Sequence, residues 1–299
     1  MRSYTLSSFV ILFFILSECK TIYTNSEKME GYNLTYPDAS IRLPDILNEI
    51  SGITYIDSVS FACIQDEKGI LFVYDIVKEE IINQLTFHSK GDYEGITRVD
   101  DTIYVLRSDG TLFEISDFKS SDFKLSSYKT GIPAVDNEGL CYDQNSNILL
   151  IACKGRISTG DKHKDKRAIY GFDLKSKTLI KTPVFEFDLK VIKEFALNKR
   201  IDLLTKEKKK RQLSEPVIRL ETSDIGIHPL TKKLFLLSST DHLLFIFDMN
   251  GNIEHIERLN PLLFVQPEGI TFFENGDMLI SNEGRSKKAT VLRFNYQEN

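Results

Sequence analysis

Short apolar runs separated by polar turns recur along the whole chain. The apolar run 60–64, for example, is followed by the polar turn 66–69 and by a second apolar run, 70–75. The same order returns at 103–106, 108–110 and 111–115. β-Branched and aromatic residues dominate these runs, and Asp-Gly or Lys-Gly pairs punctuate them, which predicts short strands joined by tight turns. The chain is therefore predicted to be all-β.

A short motif of an acidic residue, a glycine and an aliphatic residue opens the groups of strands. Its copies are Glu94-Gly95-Ile96, Glu138-Gly139-Leu140 and Glu268-Gly269-Ile270, with weaker copies at Ser51-Gly52-Ile53 and Asp224-Ile225-Gly226-Ile227. Successive glycines are 43 residues (Gly52 to Gly95), 44 (Gly95 to Gly139), 87 (Gly139 to Gly226) and 43 (Gly226 to Gly269) apart. A repeat of about 40–50 residues is typical of a β-propeller.

The double-length gap leaves the number of blades open. It holds either a degenerate sixth blade or one normal blade with an insertion. Residues 189–213 favour the insertion, because their apolar positions follow helical spacing and their nine Lys/Arg outnumber three acids. The predicted fold is thus a five-bladed β-propeller with an inserted basic helix at about 189–213, with a six-bladed propeller as the alternative. Such a helix is either solvated on the rim or contacts an anionic membrane or acidic partner.

A propeller closes by pairing its first and last segments, which removes exposed sheet edges. We therefore expect the segment around 32–43 to complete the blade that contains the C-terminal strand at 291–295. The propeller domain then extends over 39–299.

The N-terminus predicts export. Arg2 precedes an unbroken apolar run from Phe9 to Leu16, which is too short to span a bilayer and is typical of a signal peptide. The following Leu16-Ser17-Glu18-Cys19 resembles a bacterial lipobox, although Glu18 stands where a small residue is expected. Either Cys19 is lipidated or the chain is cleaved nearby. Residues 1–19 are thus a predicted signal segment, and the polar residues 20–38 a predicted tether to the membrane.

Composition narrows the function classes. A net charge of −5 disfavours nucleic acid as a partner. The four cysteines form no Cys-x-x-Cys pair, which disfavours a zinc site. Apart from Cys19, they (Cys63, Cys141 and Cys153) are predicted to be buried apolar residues in strands. No Gly-x-Ser-x-Gly or His-Glu-x-x-His motif is present, and no catalytic residue is predicted.

The repeated motif predicts a metal site. The innermost strand of each blade lines the channel, so Glu94, Glu138 and Glu268 are expected to converge there. Carboxylates that face one axis repel one another unless they are protonated or bridged by a cation. Calcium accepts six to eight oxygen ligands and would resolve the repulsion. Four further residues are predicted to complete its shell: Asp92, Asp136, Asp224 and Asn282. The alternative is that Glu-Gly simply starts a strand, with the acid bonded to loop amides.

The ordered motifs resemble those of the SdiA-regulated (YjiK-like) family of exported bacterial proteins. The resemblance covers about residues 45–295. It is carried by Glu49-Ile50-Ser51-Gly52-Ile53, Asp66-Glu67, Asp92-Tyr93-Glu94-Gly95-Ile96, Asn137 to Asp143 with Leu149 to Lys154, Ile225-Gly226-Ile227-His228-Pro229, and Gln266-Pro267-Glu268-Gly269-Ile270. It implies a five-bladed propeller with a bound calcium ion and no firmly assigned activity. The family usually has a small residue where Asp224 stands.

The sequence therefore predicts an exported, membrane-anchored, calcium-binding propeller that binds an unknown ligand or protein at its channel face. The alternative is a calcium-dependent hydrolase of the phytase-like or lactonase-like kind, in which the ion positions an ester or activates water. An open coordination position with a nearby base would distinguish the two. A third possibility is a protein-interaction platform whose channel is plugged by aromatic side chains.

Overall fold

The computed structural model describes residues 29–134, 136–157, 163–208 and 213–298. Within them the chain forms five antiparallel sheets, which are the blades of a five-bladed β-propeller. The predicted signal segment 1–19 and residues 20–28 of the predicted tether lie outside the described residues.

The strands follow one another from the inside to the outside of each blade. Strand β1 (Ala39–Arg42) comes first and belongs to the last blade. Blade one contains β2 (Ile50–Asp57), β3 (Ser60–Gln65), β4 (Ile70–Asp75) and β5 (Glu80–Thr86). Blade two contains β6 (Tyr93–Val99), β7 (Thr102–Arg107), β8 (Thr111–Ser116) and β9 (Lys124–Lys129). Blade three contains β10 (Asn137–Asp143), β11 (Ile148–Cys153), β12 (Lys166–Asp173), β13 (Thr178–Leu179) and β14 (Phe185–Asp188).

An insertion separates blades three and four. It contains α1 (Leu189–Asn198), β15 (Thr205–Lys208) and β16 (Leu213–Pro216). Blade four contains β17 (Asp224–Ile227), β18 (Leu234–Ser238), β19 (Leu243–Phe247) and β20 (Ile253–Arg258). Blade five contains β21 (Pro267–Phe272), β22 (Met278–Asn282) and β23 (Thr290–Phe294), and β1 is its outermost strand.

Burial is greatest in the middle strands because each blade packs between two neighbours. Every residue of β3 and of β11 is buried, as expected for strands covered on both faces. The outermost strand β5 instead alternates between exposed and half-buried residues. The apolar runs of the sequence are therefore the middle strands, and the core lies between the blades.

Pairing of the two chain ends closes the ring, as predicted. Strand β1 is antiparallel to β23, with Ile41 opposite Val291. The inner strands contact one another in the order β2, β6, β10, β17, β21 and back to β2.

The N-terminal segment does not behave as a free tether in its described part. Met29, Tyr32 and Leu34 are buried, and they pack against blades four and five. The predicted tether at 20–38 therefore needs correction from Met29 onward. Its polar and glycine residues suggested a linker, but its few apolar side chains cover the groove between two blades.

The double-length gap contains an insertion rather than a sixth blade. The Asp188 carboxylate caps α1 by accepting a hydrogen bond from Lys190 N, and Ile192 and Ala196 form its buried face. The helix ends at Asn198, so it covers only part of the predicted 189–213, and the hairpin of β15 and β16 follows. No helix within the described residues is long and apolar enough to cross a membrane.

We expect Ile41→Ala to lower the free energy of unfolding by about 2–4 kcal/mol, because Ile41 is buried in the strand that closes the ring. Urea denaturation followed by circular dichroism measures this change. Ser40→Ala is the matched control, since Ser40 is exposed on the same strand. Equal stability of the two variants would contradict a folding role for the β1 pairing.

Candidate functional site

The three motif glutamates occupy the same position in three inner strands. Glu94, Glu138 and Glu268 are each the second residue of their strand, in β6, β10 and β21. At each of them the pairing with the next strand skips one residue. Such a β-bulge redirects a side chain and is common beside functional sites. The sequence motif is therefore the local signature of a bulge at the start of an inner strand.

The motif glycine allows neighbouring inner strands to approach each other. A Cβ atom on Gly52 would lie 2.9 Å from Glu94 O, and one on Gly95 would lie 2.6 Å from Glu138 O. These spaces are too small for a side chain. The glycines were expected to let the backbone approach the channel, and the structure shows that they bring adjacent blades together.

Blade four departs from the predicted alignment of the motif. Ile225 N is in contact with Gly139 of the preceding blade, just as Leu140 N is in contact with Gly95. Ile225 is therefore equivalent to Leu140, the residue directly after a motif glycine. Asp224 therefore occupies the glycine position of blade four, and the predicted alignment of Gly226 with the other glycines is wrong by two residues. The spacing misled because Gly226 also fits a period of 43 residues.

Asp224 uses its carboxylate to connect three blades. Its oxygens accept hydrogen bonds from the backbone N–H groups of Leu140 (3.3 Å), Ile225 (2.8 Å) and Ile270 (2.9 Å). The residue is 1% exposed. Burial raises its pKa well above the ordinary value, although the three N–H donors act in the opposite direction. A metal-binding role for Asp224 would require it to give up these bonds.

The predicted acids lie close enough to influence one another's pKa. Burial, the charge of Glu138 and the charge of Asp92 raise the pKa of Glu94 to about 9. Burial also raises the pKa of Glu138 to about 7, and the charges of Asp136 and Asp92 act in the same direction. We call Asp92, Glu94, Asp136, Glu138 and Glu268 the acidic mouth.

Lys154 contributes a positive charge to the acidic mouth. Its Nζ lies 2.5 Å from Glu138 Oε1. Partial burial disfavours the ammonium, but Glu138, Glu268 and Glu94 more than offset it, so the pKa of Lys154 is raised. Burial raises the pKa of Glu268 to about 7, while a hydrogen bond from Gln266 and the charge of Lys154 oppose the shift.

The sequence reasoning missed Lys154 as a site residue, although a comparison of equivalent positions in the blades could have found it. The residue directly after the second strand of a blade donates its backbone N–H to a backbone carbonyl. The residue that carries this carbonyl stands three positions before the motif glycine of the same blade. Four blades share this bond, in the pairs Asp66–Glu49, Ser108–Asp92, Lys154–Asp136 and Glu283–Gln266. Lys154 is the only base among these four residues.

Asp66, the equivalent residue of blade one, is a further acid. Burial and the charge of Glu49 raise the pKa of Asp66 to about 6.

Several oxygen acceptors in the same region have no hydrogen-bond partner. They are Asp66 Oδ1, Gln266 Oε1 and Asn282 Oδ1. Asn282 is 2% exposed, and its amide group donates to Thr290 Oγ1 and Leu263 O. A buried acceptor without a partner is costly, so these oxygens favour contact with a cation, a donor group or water.

The acidic mouth does not have the compact geometry of a finished metal cluster. Among the described residues, no three His, Cys, Asp or Glu side chains are arranged to hold a metal ion. Asp92 and Asp136 are exposed, whereas Glu138 is 5% exposed and carries Lys154.

A ring of equivalent aliphatic residues, one from each inner strand, lines a cavity at the end of the inner strands away from the acidic mouth. The residues after the glycine position form this ring, and each is at most 2% exposed: Ile53, Ile96, Leu140, Ile225 and Ile270. They are the floor of a cavity of about 170 Å³, whose rim includes Tyr55, Arg98, Tyr142 and Lys232. Arg98 is held in place by Ile56 O and Asp100 O.

Comparison with solved structures shows the same fold in one protein of very different sequence and finds weaker likenesses to others. Glutaminyl cyclase of Myxococcus xanthus superposes with a TM-score of 0.56 at 10% identity, over 88% of this chain and 97% of that chain. A streptogramin B lyase gives 0.47 at 11% identity, over 90% and 97% of the two chains. Virginiamycin B lyase from Staphylococcus aureus gives 0.43 at 11% identity, over 85% and 73%. No family model and no curated protein matches the chain. The likeness establishes the fold alone, and the resemblance to the SdiA-regulated family stays a prediction.

We expect the stability of the protein without added cation to fall as pH rises. A carboxyl whose pKa is higher in the fold holds its proton more tightly there than in the unfolded chain. The stabilisation is complete below the ordinary Glu value of 4.5 and is lost as pH rises toward about 9, the value for Glu94. Each such group contributes a slope of at most about 1.4 kcal/mol per pH unit. Urea unfolding in EDTA at pH 5.5, 7.0 and 8.5 measures it.

Glu94→Gln should flatten this profile between pH 7 and pH 8.5, since the amide has no proton to lose. Glu80→Gln is the control, because Glu80 is exposed on the outermost strand of blade one. A Glu94→Gln protein with the slope of the control would show that Glu94 is not protonated in the fold.

Proposed function

We propose that this propeller is a ligand-binding protein whose acidic mouth binds a cation, with calcium as the first candidate. The observation that carries the proposal is the equivalent position of three glutamates at the start of the inner strands of three blades. Burial raises the pKa of each, and neighbouring acids add to the shift. Such perturbed groups cluster at functional sites. A bound cation supplies the positive charge that lets these carboxylates ionise together.

The chemistry of the available donors fits a hard cation. Calcium binds oxygen ligands from carboxylates, amide carbonyls and water. Glu94, Glu138 and Glu268 offer carboxylates, and Asn282 and Gln266 offer side-chain oxygens that have no partner. The exposed Asp92 and Asp136 lie at the edge of the acidic mouth and would attract a cation toward it.

The proposal includes an extracytoplasmic location, which rests on the signal-like residues 1–19. Calcium-binding modules that work outside cells have dissociation constants of roughly 10⁻⁴–10⁻³ M. An affinity in this range agrees with a site that already contains a lysine. In this view the N-terminus, through Cys19 if it is lipidated, attaches the propeller to the membrane.

We expect calcium to raise the melting temperature of the protein, and EDTA to reverse the rise. At 100 times the dissociation constant, a ligand that binds only the folded state adds about 2.7 kcal/mol of stability. Differential scanning fluorimetry at pH 7.5 with increasing CaCl₂ measures the shift, and isothermal titration calorimetry gives the affinity. Glu94→Gln with Glu268→Gln should abolish both signals.

The Glu80→Gln variant is again the matched control and should bind calcium as the wild type does. A melting temperature that calcium does not change, at concentrations up to 10 mM (about tenfold above the weakest extracellular sites), would rule out calcium. The same titration with magnesium and with an organic diamine then tests whether the acidic mouth takes another cation.

A second candidate is a calcium-dependent hydrolase, and one observation favours it. Glu268, with a pKa of about 7, is partly exposed beside Glu138 and is suited to exchange a proton near neutral pH. Under this alternative the cation-loaded protein hydrolyses a phosphomonoester or a lactone. Glu268→Gln would then lower turnover by about 10²-fold or more while a cation still binds. Cation binding without turnover of either substrate would leave the binding function.

A further inference from the structure

We infer that Lys154 is a specificity-determining residue of the acidic mouth, because its ammonium competes with the incoming cation for Glu138 and thereby keeps weakly bound monovalent ions from occupying the site. The inference rests on the proposed function, since it concerns what the same site admits.

The contacts of Lys154 place its charge among the proposed cation ligands. Its Nζ lies 2.5 Å from Glu138 Oε1, and the charges of Glu268 and Glu94 also stabilise the ammonium. In return, Lys154 lowers the pKa of all three glutamates. A metal ion cannot use Glu138 fully while the ammonium is bonded to it. Cation binding therefore requires the two to exchange places.

The side chain of Lys154 can move away from Glu138 while its backbone stays in place. The backbone N–H of Lys154 donates to Asp136 O at 2.8 Å, which fixes the Cα atom at the end of β11. Its side chain is 44% exposed, whereas that of Glu138 is 7% exposed. The following Gly155 has open space where a Cβ atom would stand. The flexible four-carbon stem can therefore turn toward solvent without disturbing the strand.

The ammonium imposes a displacement cost that a strongly bound divalent ion meets and a weakly bound monovalent ion does not. A monovalent ion that replaces Lys154 restores the same single charge, and it must also displace a hydrogen-bonded group. A divalent ion adds one further positive charge where several acids meet. Coulomb attraction scales with that charge, so the exchange favours calcium over sodium or potassium. Without Lys154, a monovalent ion would meet no such competitor.

A second lysine provides a matched comparison. Lys177 Nζ lies 2.6 Å from Glu114 Oε2 and 2.9 Å from Tyr104 Oη, on strands of blade two that lie outside the channel. The Lys177–Glu114 ion pair resembles the Lys154–Glu138 pair in its Nζ–O distance and in its partly buried carboxylate. Glu114, however, does not lie at the start of an inner strand. Lys177→Met therefore removes an ion pair of the same kind without changing the charge of the acidic mouth.

The test compares Lys154→Met, Lys154→Arg and Lys177→Met with the wild type. Isothermal titration calorimetry measures calcium affinity in 0.15 M choline chloride and in 0.15 M NaCl. We expect Lys154→Met to bind calcium about tenfold more tightly in choline chloride and to lose more affinity in NaCl than the wild type does. Lys177→Met should keep the wild-type affinity within about twofold, and Lys154→Arg, which keeps the positive charge, should not show the gain in affinity of Lys154→Met. Calcium should also speed the acetylation of Lys154 in the wild type, as measured by mass spectrometry.

The outcomes separate the inference from the proposed function. If the wild type binds calcium and Lys154→Met binds it equally or more weakly, the competition is refuted and the cation site stands. If neither protein binds a cation, the proposed function is refuted and the inference falls with it. Should Lys154→Met not fold, Lys154→Gln takes its place, because the amide keeps a hydrogen bond to Glu138 without the charge. Acetylation of Lys154 that calcium does not change would also refute the exchange.

Discussion

The mutual repulsion of carboxylates around one axis is the constraint on which this structure depends. A five-bladed propeller repeats its inner strand five times. A residue type at a fixed position of that strand can therefore occur up to five times around the axis, at the same depth. An acid there concentrates negative charge in a poorly hydrated space. Three different means relieve it. The pKa of Glu94 is raised to about 9, which favours its neutral form, Glu138 bonds to an ammonium, and Asp224 accepts three backbone N–H groups.

The same constraint explains why the acidic mouth is asymmetric. Blades one and four carry Ser51 and Ser223 where the other blades carry glutamate. Ser51 donates its hydroxyl to Tyr93 O, and Ser223 accepts a bond from Ser239 N, so neither adds charge. Five glutamates in this position would need more compensation than one lysine provides. The asymmetry also gives a ligand a defined orientation, with an ammonium on one side only.

The fold could be predicted in most respects because it depends on periodicity. Continuous apolar runs marked the middle strands, and the recurring glycines gave the length of a blade. Ring closure followed from the need to pair edge strands. The end of α1 at Asn198 and the packing of Tyr32 were not predictable, since both depend on contacts with distant parts of the chain.

The site was harder to predict than the fold. A residue type at a repeated position indicates convergence, which is why the glutamates were found. Lys154 lies at the end of a different strand, and only the register of β10 against β11 brings it beside Glu138. Asp224 was assigned from its acidity, yet its place in the glycine position turned its carboxylate toward the backbone of neighbouring blades. Calcium binding itself stays a prediction.

The pairing of β1 with β23 brings the two ends of the described chain together. Beyond the strands the contact continues, because Gln297 N donates to Gly31 O at 2.9 Å. A chain whose ends are neighbours can in principle be joined there by a short linker and opened elsewhere. Such a rearranged chain would keep every strand pair of the five blades.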